Sequence, residues 1–205
     1  MNDKFYNLPS DKQHAIINAG YRVFSKNSYK KSPMQEIADE AAISKSLLFH
    51  YFQNKKDLYL FLWEYACQYA ISTLTAAGCY EEPDFFRMLY KGMKAKIEIL
   101  RRNPDMGAFI IKAYYEKDPE VHDDIQASYL KYYRMKAEMS LKNVSKDQFR
   151  LGINVGDIFR HIFWEANGYL IDILRNSNLD VIRLEKDFTK MIRFWEIIYS
   201  RDRKE

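Results

Sequence analysis

The stretch from Ser32 to Leu58, SPMQEIADEAAISKSLLFHYFQNKKDL, constrains the fold more than any other part of the chain. Ser32 is a favoured N-cap, Pro33 suits the first helical position, and Gln35 stands three residues after the cap, where it can close a capping box. A helix is therefore expected to start at Ser32. Ile37, Ala38 and Ala41 recur at helical spacing, and the pattern breaks at Ala42-Ile43-Ser44, where Ser44 caps a second helix to about Phe52. Two helices joined by so short a turn make a helix-turn-helix, whose second helix is the one that enters a DNA major groove.

At about 100° per residue, Leu48 and Phe52 of that second helix lie together with Tyr51 flanking them, and point inward. Lys45, Ser46, Phe49 and His50 then face out. An outward phenylalanine needs a partner, and against a major groove Phe49 can pack on a thymine methyl while Lys45, Ser46 or His50 reach base edges or phosphates. A bare polar helix face is the plainer reading of these residues; the preceding helix and turn favour DNA.

The run I-A-x-E-A-x-I-S-K-x-x-L-F-H-Y-F-x-N-K-x-D-L, from Ile37 to Leu58, resembles the TetR/AcrR family of bacterial transcriptional regulators. The resemblance covers roughly residues 10 to 60. It implies a homodimeric, all-α protein with an N-terminal three-helix DNA-binding domain (1–54) and a helical domain for effector binding and dimerisation (55–205), about nine helices in total. It also implies contacts to a double-stranded DNA operator. Lys45, Ser46 and His50 would lie on the recognition helix, Tyr51 resembles the family's phosphate-contacting tyrosine, and Lys55 opens the next helix at the DNA backbone. With Ser32, Gln35 and Phe49 these form the expected DNA-binding set. Two departures stand out. Phe49 occupies a position where the family usually has tyrosine, and Ala42 one where glycine is common; a left-handed alanine there costs on the order of 1 kcal/mol.

Composition agrees with a globular, ordered chain: 205 residues, 47% hydrophobic and 29% charged. No run approaches the roughly 18 apolar residues of a membrane span, and no apolar leader precedes Pro9, so a cytoplasmic location without membrane contact is expected. The net charge is +4. Residues 1–60 carry nine Lys/Arg against six Asp/Glu, so most of the excess is N-terminal, as phosphate contact or a solvated basic face would both require. Cys67 and Cys79, if on one helix, would be about 18 Å apart, which suits reduced structural thiols.

Outside the central stretch the chain reads as helices only. A first helix starts at Ser10, with Gln13 completing another capping box, buries Ile16, Ala19, Gly20 and Val23, and ends at Asn27. A long helix follows from the Asn54–Asp57 bracket to about Ala77, stopped by Gly78. Further helices are expected over 84–102, 104–116, 118–142, 157–175 and 181–201, with 143–156 a loop or broken helix and Asn176-Ser177-Asn178 a short connection. The resemblance places the dimer contact on the last two long helices, and Ile158, Ile162, Glu165, Tyr169, Asp172 and Ile173 fit such a face or an internal core.

Phe109, Tyr114, Tyr133, His161 and Trp164 are the candidates for a pocket that takes a small lipophilic or aromatic effector; rings at helical spacing equally fill cores. The acidic run Glu116–Asp124 fits a helix N-terminus better than a metal site. No phosphate-binding glycine loop, nucleophile elbow or H-E-x-x-H motif is present, so neither catalytic residues nor metal or cofactor are expected. Two other classes remain: a DNA-binding protein of this fold without an effector, and a helical enzyme or carrier whose N-terminal domain only resembles a regulator.

Overall fold

Residues that start helices for local reasons punctuate the chain. In the computed structural model, which describes residues 3–150, 152–176 and 180–201, the Ser44 hydroxyl accepts the Leu47 amide at 3.1 Å and the Asn54 side-chain oxygen accepts that of Asp57 at 2.8 Å. Asp84 accepts the amide of Arg87 at 2.9 Å, and Asp180 those of Ile182 and Arg183 at 2.9 and 3.2 Å. Each supplies an acceptor to first-turn donors that have no partner inside their own helix.

The described helices are α1 (Asp3–Tyr6), α2 (Ser10–Lys26), α3 (Met34–Glu40), α4 (Lys45–Tyr51), α5 (Lys55–Ala76), α6 (Phe85–Arg102), α7 (Pro104–Tyr115), α8 (His122–Leu141), α9 (Val155–Asn176) and α10 (Val181–Tyr199). A 3₁₀ turn covers Lys146–Gln148, and the only strand-like pairing among the described residues is one bridge, Phe149 to Ser200. The fold is all-α, with α2–α10 the nine helices expected and α1 an addition that periodicity does not announce. The expected connection at 176–178 falls mostly outside the described residues, since α9 runs through Asn176.

Two expected capping boxes do not form. Gln13 donates instead to the carbonyls of Tyr6 and Leu8, at 3.2 and 2.8 Å, because α1 leaves those groups within reach of the first turn of α2. The Ser32 hydroxyl donates to the Ser28 carbonyl at 2.9 Å, so α3 begins two residues later with Pro33 at its cap and no side-chain bond there. α8 likewise starts at His122, not Asp118. The intervening turn is organised by Glu116, whose carboxylate accepts the amides of Lys117 and Asp118, and by Asp118, which accepts that of Glu120.

The chain divides into two compact units, Met1–Tyr69 with Arg102–Tyr132, and Ala70–Arg101 with Tyr133–Glu205. The first therefore holds more than residues 1–54. Phe109 of α7 is fully buried against Tyr21 and Phe24 of α2 and Tyr59 of α5, with ring centroids 5.3, 6.1 and 5.0 Å away, which ties α7 and the first part of α5 to the helix-turn-helix. Gly20 lets α2 and α5 approach: a β-carbon there would lie 2.6 Å from a Leu62 methyl.

In the second unit Phe85, Phe149, Ile158, Ile162, Leu184 and Trp195 form the core. Glu185 of α10 pairs with Lys94 and Arg101 of α6. No helix among the described residues is long and apolar enough to cross a membrane.

Candidate nucleic-acid interface

The turn between α3 and α4 is set by backbone hydrogen bonds. The Ile43 amide donates to the Ala38 carbonyl and the Ala42 amide to the Asp39 carbonyl, both at 3.0 Å, which is the pairing of a Schellman motif. That motif needs a left-handed residue between them, and Ala42 adopts it with φ 53°. An alanine thus occupies the position that glycine fills at least cost.

α4 then presents two faces. Leu48 and Phe52 are buried at 0 and 1% exposure, while Lys45, Ser46, Phe49 and His50 are exposed, as the helical angles require. Phe49 is 38% exposed with the Lys45 ammonium 6.0 Å from its ring centre, so an apolar ring and a cation share one patch. Leu47, 37% exposed, adds an apolar neighbour that the spacing argument does not select. Behind the helix, Phe5 of α1 is fully buried and packs against Phe52 and Phe61 with centroids 5.1 Å away. It also meets the Tyr51 ring edge-on at 6.2 Å. Tyr51 is consequently largely buried, at 8% exposure.

The remaining members of the expected DNA-binding set are held differently. The Ser32 side chain is buried at 1% exposure and its proton is committed to Ser28, so Ser32 shapes the loop and offers no hydroxyl to a phosphate. Gln35 donates to the Asp39 carboxylate at 2.7 Å on a surface that also carries Glu36 and Glu40, a poor setting for a polyanion. Lys55 is half-buried; its ammonium lies 4.5 Å from the centre of the Tyr29 ring and donates to the Lys30 carbonyl at 3.3 Å. That bond gathers Lys55 with the exposed Lys30 and Lys31, two cations that helix-face reasoning passes over because they precede α3 in a loop.

A further contact fixes this loop. The Tyr29 amide donates to the Glu116 carboxylate at 2.8 Å, and Lys56 at the start of α5 pairs with Asp124 of α8 at 2.7 Å. The acidic run therefore braces the helix-turn-helix. Among the described residues no group of three or more His, Cys, Asp or Glu side chains is arranged to hold a metal ion.

The five residues expected to line an effector pocket fall in both units. In the first, Phe109 is core, and the Tyr114 ring meets Tyr115 edge-on and Tyr129 at a tilt, with centroids 4.7 and 4.5 Å away. In the second, Tyr133 packs on Phe163 at 4.5 Å, whereas His161 and Trp164 lie on the exposed side of α9, with Trp164 59% exposed. The face suggested for dimerisation is also largely internal. Ile158, Ile162 and Ile173 are buried, Glu165 accepts the Trp195 indole proton at 2.6 Å, and the Tyr169 hydroxyl donates to Asp187 at 2.7 Å. Among the described residues, the large apolar side chains left exposed on α9 and α10 are Trp164, Ile182, Phe194, Ile197 and Ile198.

Residues 16–61 match the family described as bacterial regulatory proteins, tetR family. Over 55 residues, 27% of this chain, the sequence is 38% identical to the HTH-type transcriptional regulator HbdR of Aromatoleum sp. (strain CIB); the match spans only 24% of that protein's length. Two solved structures share the fold at low identity. SmeT, the repressor of the Stenotrophomonas maltophilia multidrug efflux pump SmeDEF, superposes with a TM-score of 0.73 at 15% identity, over 94% of each chain. A transcriptional regulator from Saccharomonospora viridis in complex with choline gives 0.71 at 16% identity, over 94% of this chain and all of that one.

Proposed function

We propose that the chain, whose residues 16–61 match the tetR family of bacterial regulatory proteins, is a sequence-specific DNA-binding transcriptional repressor that acts as a homodimer. The observation that carries this reading is the exposed Lys45–Phe49 patch on α4, held rigid from behind by Phe5, Leu48 and Phe52. Phe49 reads base methyl groups in the major groove, Lys45 and His50 reach base edges or phosphates, and Lys30, Lys31 and Lys55 lie along the backbone. Ser32 and Gln35 leave the contact set for the reasons of burial and local charge given above.

The outer faces of α9 and α10 support dimerisation. Trp164, Phe194 and Ile197 are 59, 55 and 71% exposed, a concentration of apolar surface that a second copy would cover. A two-fold dimer sets its recognition helices about 34 Å apart, so the operator is a near-palindrome with half-sites one DNA turn apart. Release by a small-molecule effector completes the reading; it draws support from the choline complex of the S. viridis regulator.

Selection from random duplexes tests the proposal. A near-palindromic consensus should emerge, Phe49→Ala should relax preference at particular bases, and Lys55→Ala should weaken all sequences and flatten the salt dependence. Binding without sequence preference at every salt concentration would defeat it.

A further inference from the structure

We propose that the first unit carries a site for a small aromatic anion, a carboxylate or phosphate on a flat apolar body, in the cleft between α2, α5 and the start of α7. The cleft has a volume of about 440 Å³, in the range of small-ligand sites, and all its lining residues belong to this unit. Arg22 of α2 and Arg102 face it together with His14, while Tyr65 and Tyr69 of α5 provide ring walls. Its floor is the N-terminus of α7. The Asn103 side chain makes no capping bond there, and Asp105 is the acid in the first turn of this twelve-residue helix.

The charge count favours an anion. Asp105 is the one carboxylate in the lining, and it is occupied by the Ser25 hydroxyl at 3.3 Å and by Arg22 at 3.9 Å. Arg22 also pairs with Glu40 of α3. An anion in the cleft therefore competes with Glu40 and Asp105 for Arg22 and meets a second guanidinium, that of Arg102, the planar forked donor that carboxylates and phosphates accept. The tyrosine rings select a flat body over a bare ion. This site lies apart from the α4 surface, and its occupancy can be measured without DNA.

The test is calorimetric titration of the full-length, DNA-free protein with benzoate, phenyl phosphate, benzamide and inorganic phosphate. The two aromatic anions should bind, and benzamide, the same ring without charge, should bind at least about tenfold more weakly. Inorganic phosphate should also bind more weakly than phenyl phosphate. Arg102→Gln should weaken both aromatic anions by about tenfold or more, whereas Asp105→Asn, which removes the competing negative charge but keeps an acceptor for Ser25, should tighten them. Opposite changes from two neighbouring substitutions cannot come from a general loss of structure, and far-UV circular dichroism of both variants checks the fold. Failure of either aromatic anion to bind at millimolar concentration, equal binding of benzamide, or indifference to Arg102→Gln would overturn the site. None of those outcomes bears on DNA recognition, and failure of DNA recognition leaves the titration intact.

Discussion

Ala42→Gly should stabilise the protein, although most glycine substitutions near a helix do the reverse. Ala42 is exposed, its φ is 53°, and its amide and that of Ile43 close the Schellman motif that joins α3 to α4. An L-residue held left-handed costs roughly 1–2 kcal/mol, and glycine removes that cost. Against it stands the larger conformational freedom of glycine in the unfolded chain, about 0.4–1 kcal/mol. The difference is a net gain centred on about 0.8 kcal/mol, or about 2–3 °C in Tm for a cooperative chain of this size. Ala41 supplies the control: it is right-handed with φ −84° and only 6% exposed, so Ala41→Gly should lose about 1 kcal/mol. Urea denaturation followed by circular dichroism, with hydrogen exchange at the Ile43 amide, reads both effects. Destabilisation by Ala42→Gly as large as that of Ala41→Gly would mean that the left-handed alanine carries no strain.

Other substitutions probe other links. Gly20→Ala should destabilise by about 1–3 kcal/mol in a denaturant melt, since the new methyl meets Leu62, itself fully buried with little room to move. Glu116→Ala should unpin the Tyr29 amide and speed hydrogen exchange there, with little change at amides of α10. The Glu185 carboxyl is held below its usual range chiefly by its hydrogen bond with Lys94, and further by Arg101. A lowered folded-state pKa adds stability above the unfolded value near 4.5 that is lost as pH falls through the folded value, so Glu185→Gln should flatten the acid limb of a pH–stability curve below that range. Ile197→Lys, on a 71% exposed position, should shift sedimentation toward monomer while leaving the circular dichroism spectrum unchanged.

What the sequence makes legible is what local chemistry decides. Ser44 and Asn54 cap their helices because a short polar side chain reaches the amide three residues on whatever the rest of the chain does. The inward Leu48 and Phe52 and the outward Phe49 follow from helical angle alone. Ser32 and Gln13 show where this ends. Each has a capping partner at the right spacing, yet each is captured by carbonyls, of Ser28 or of Tyr6 and Leu8, that only the preceding turn brings near. Aromatic rings are ambiguous for a different reason: Phe109 and Trp164 both sit at helical spacing, and one is wholly buried while the other is 59% exposed. Which neighbour a helix face meets is tertiary information, and no local period carries it. The same holds for Ile158, Ile162 and Ile173, whose shared face is filled from within the unit.

The most direct measurement of base reading by α4 is fluorescence anisotropy on a selected duplex in which each thymine in turn is replaced by deoxyuridine, with wild type and Phe49→Ala compared. Removing one buried methyl should cost about 0.8 kcal/mol, close to fourfold in affinity. Base reading by Phe49 requires one thymine in each half-site where wild type loses about fourfold and Phe49→Ala loses nothing, because the ring that covered the methyl is gone. Equal losses for both proteins at every thymine, or no loss anywhere, would contradict it.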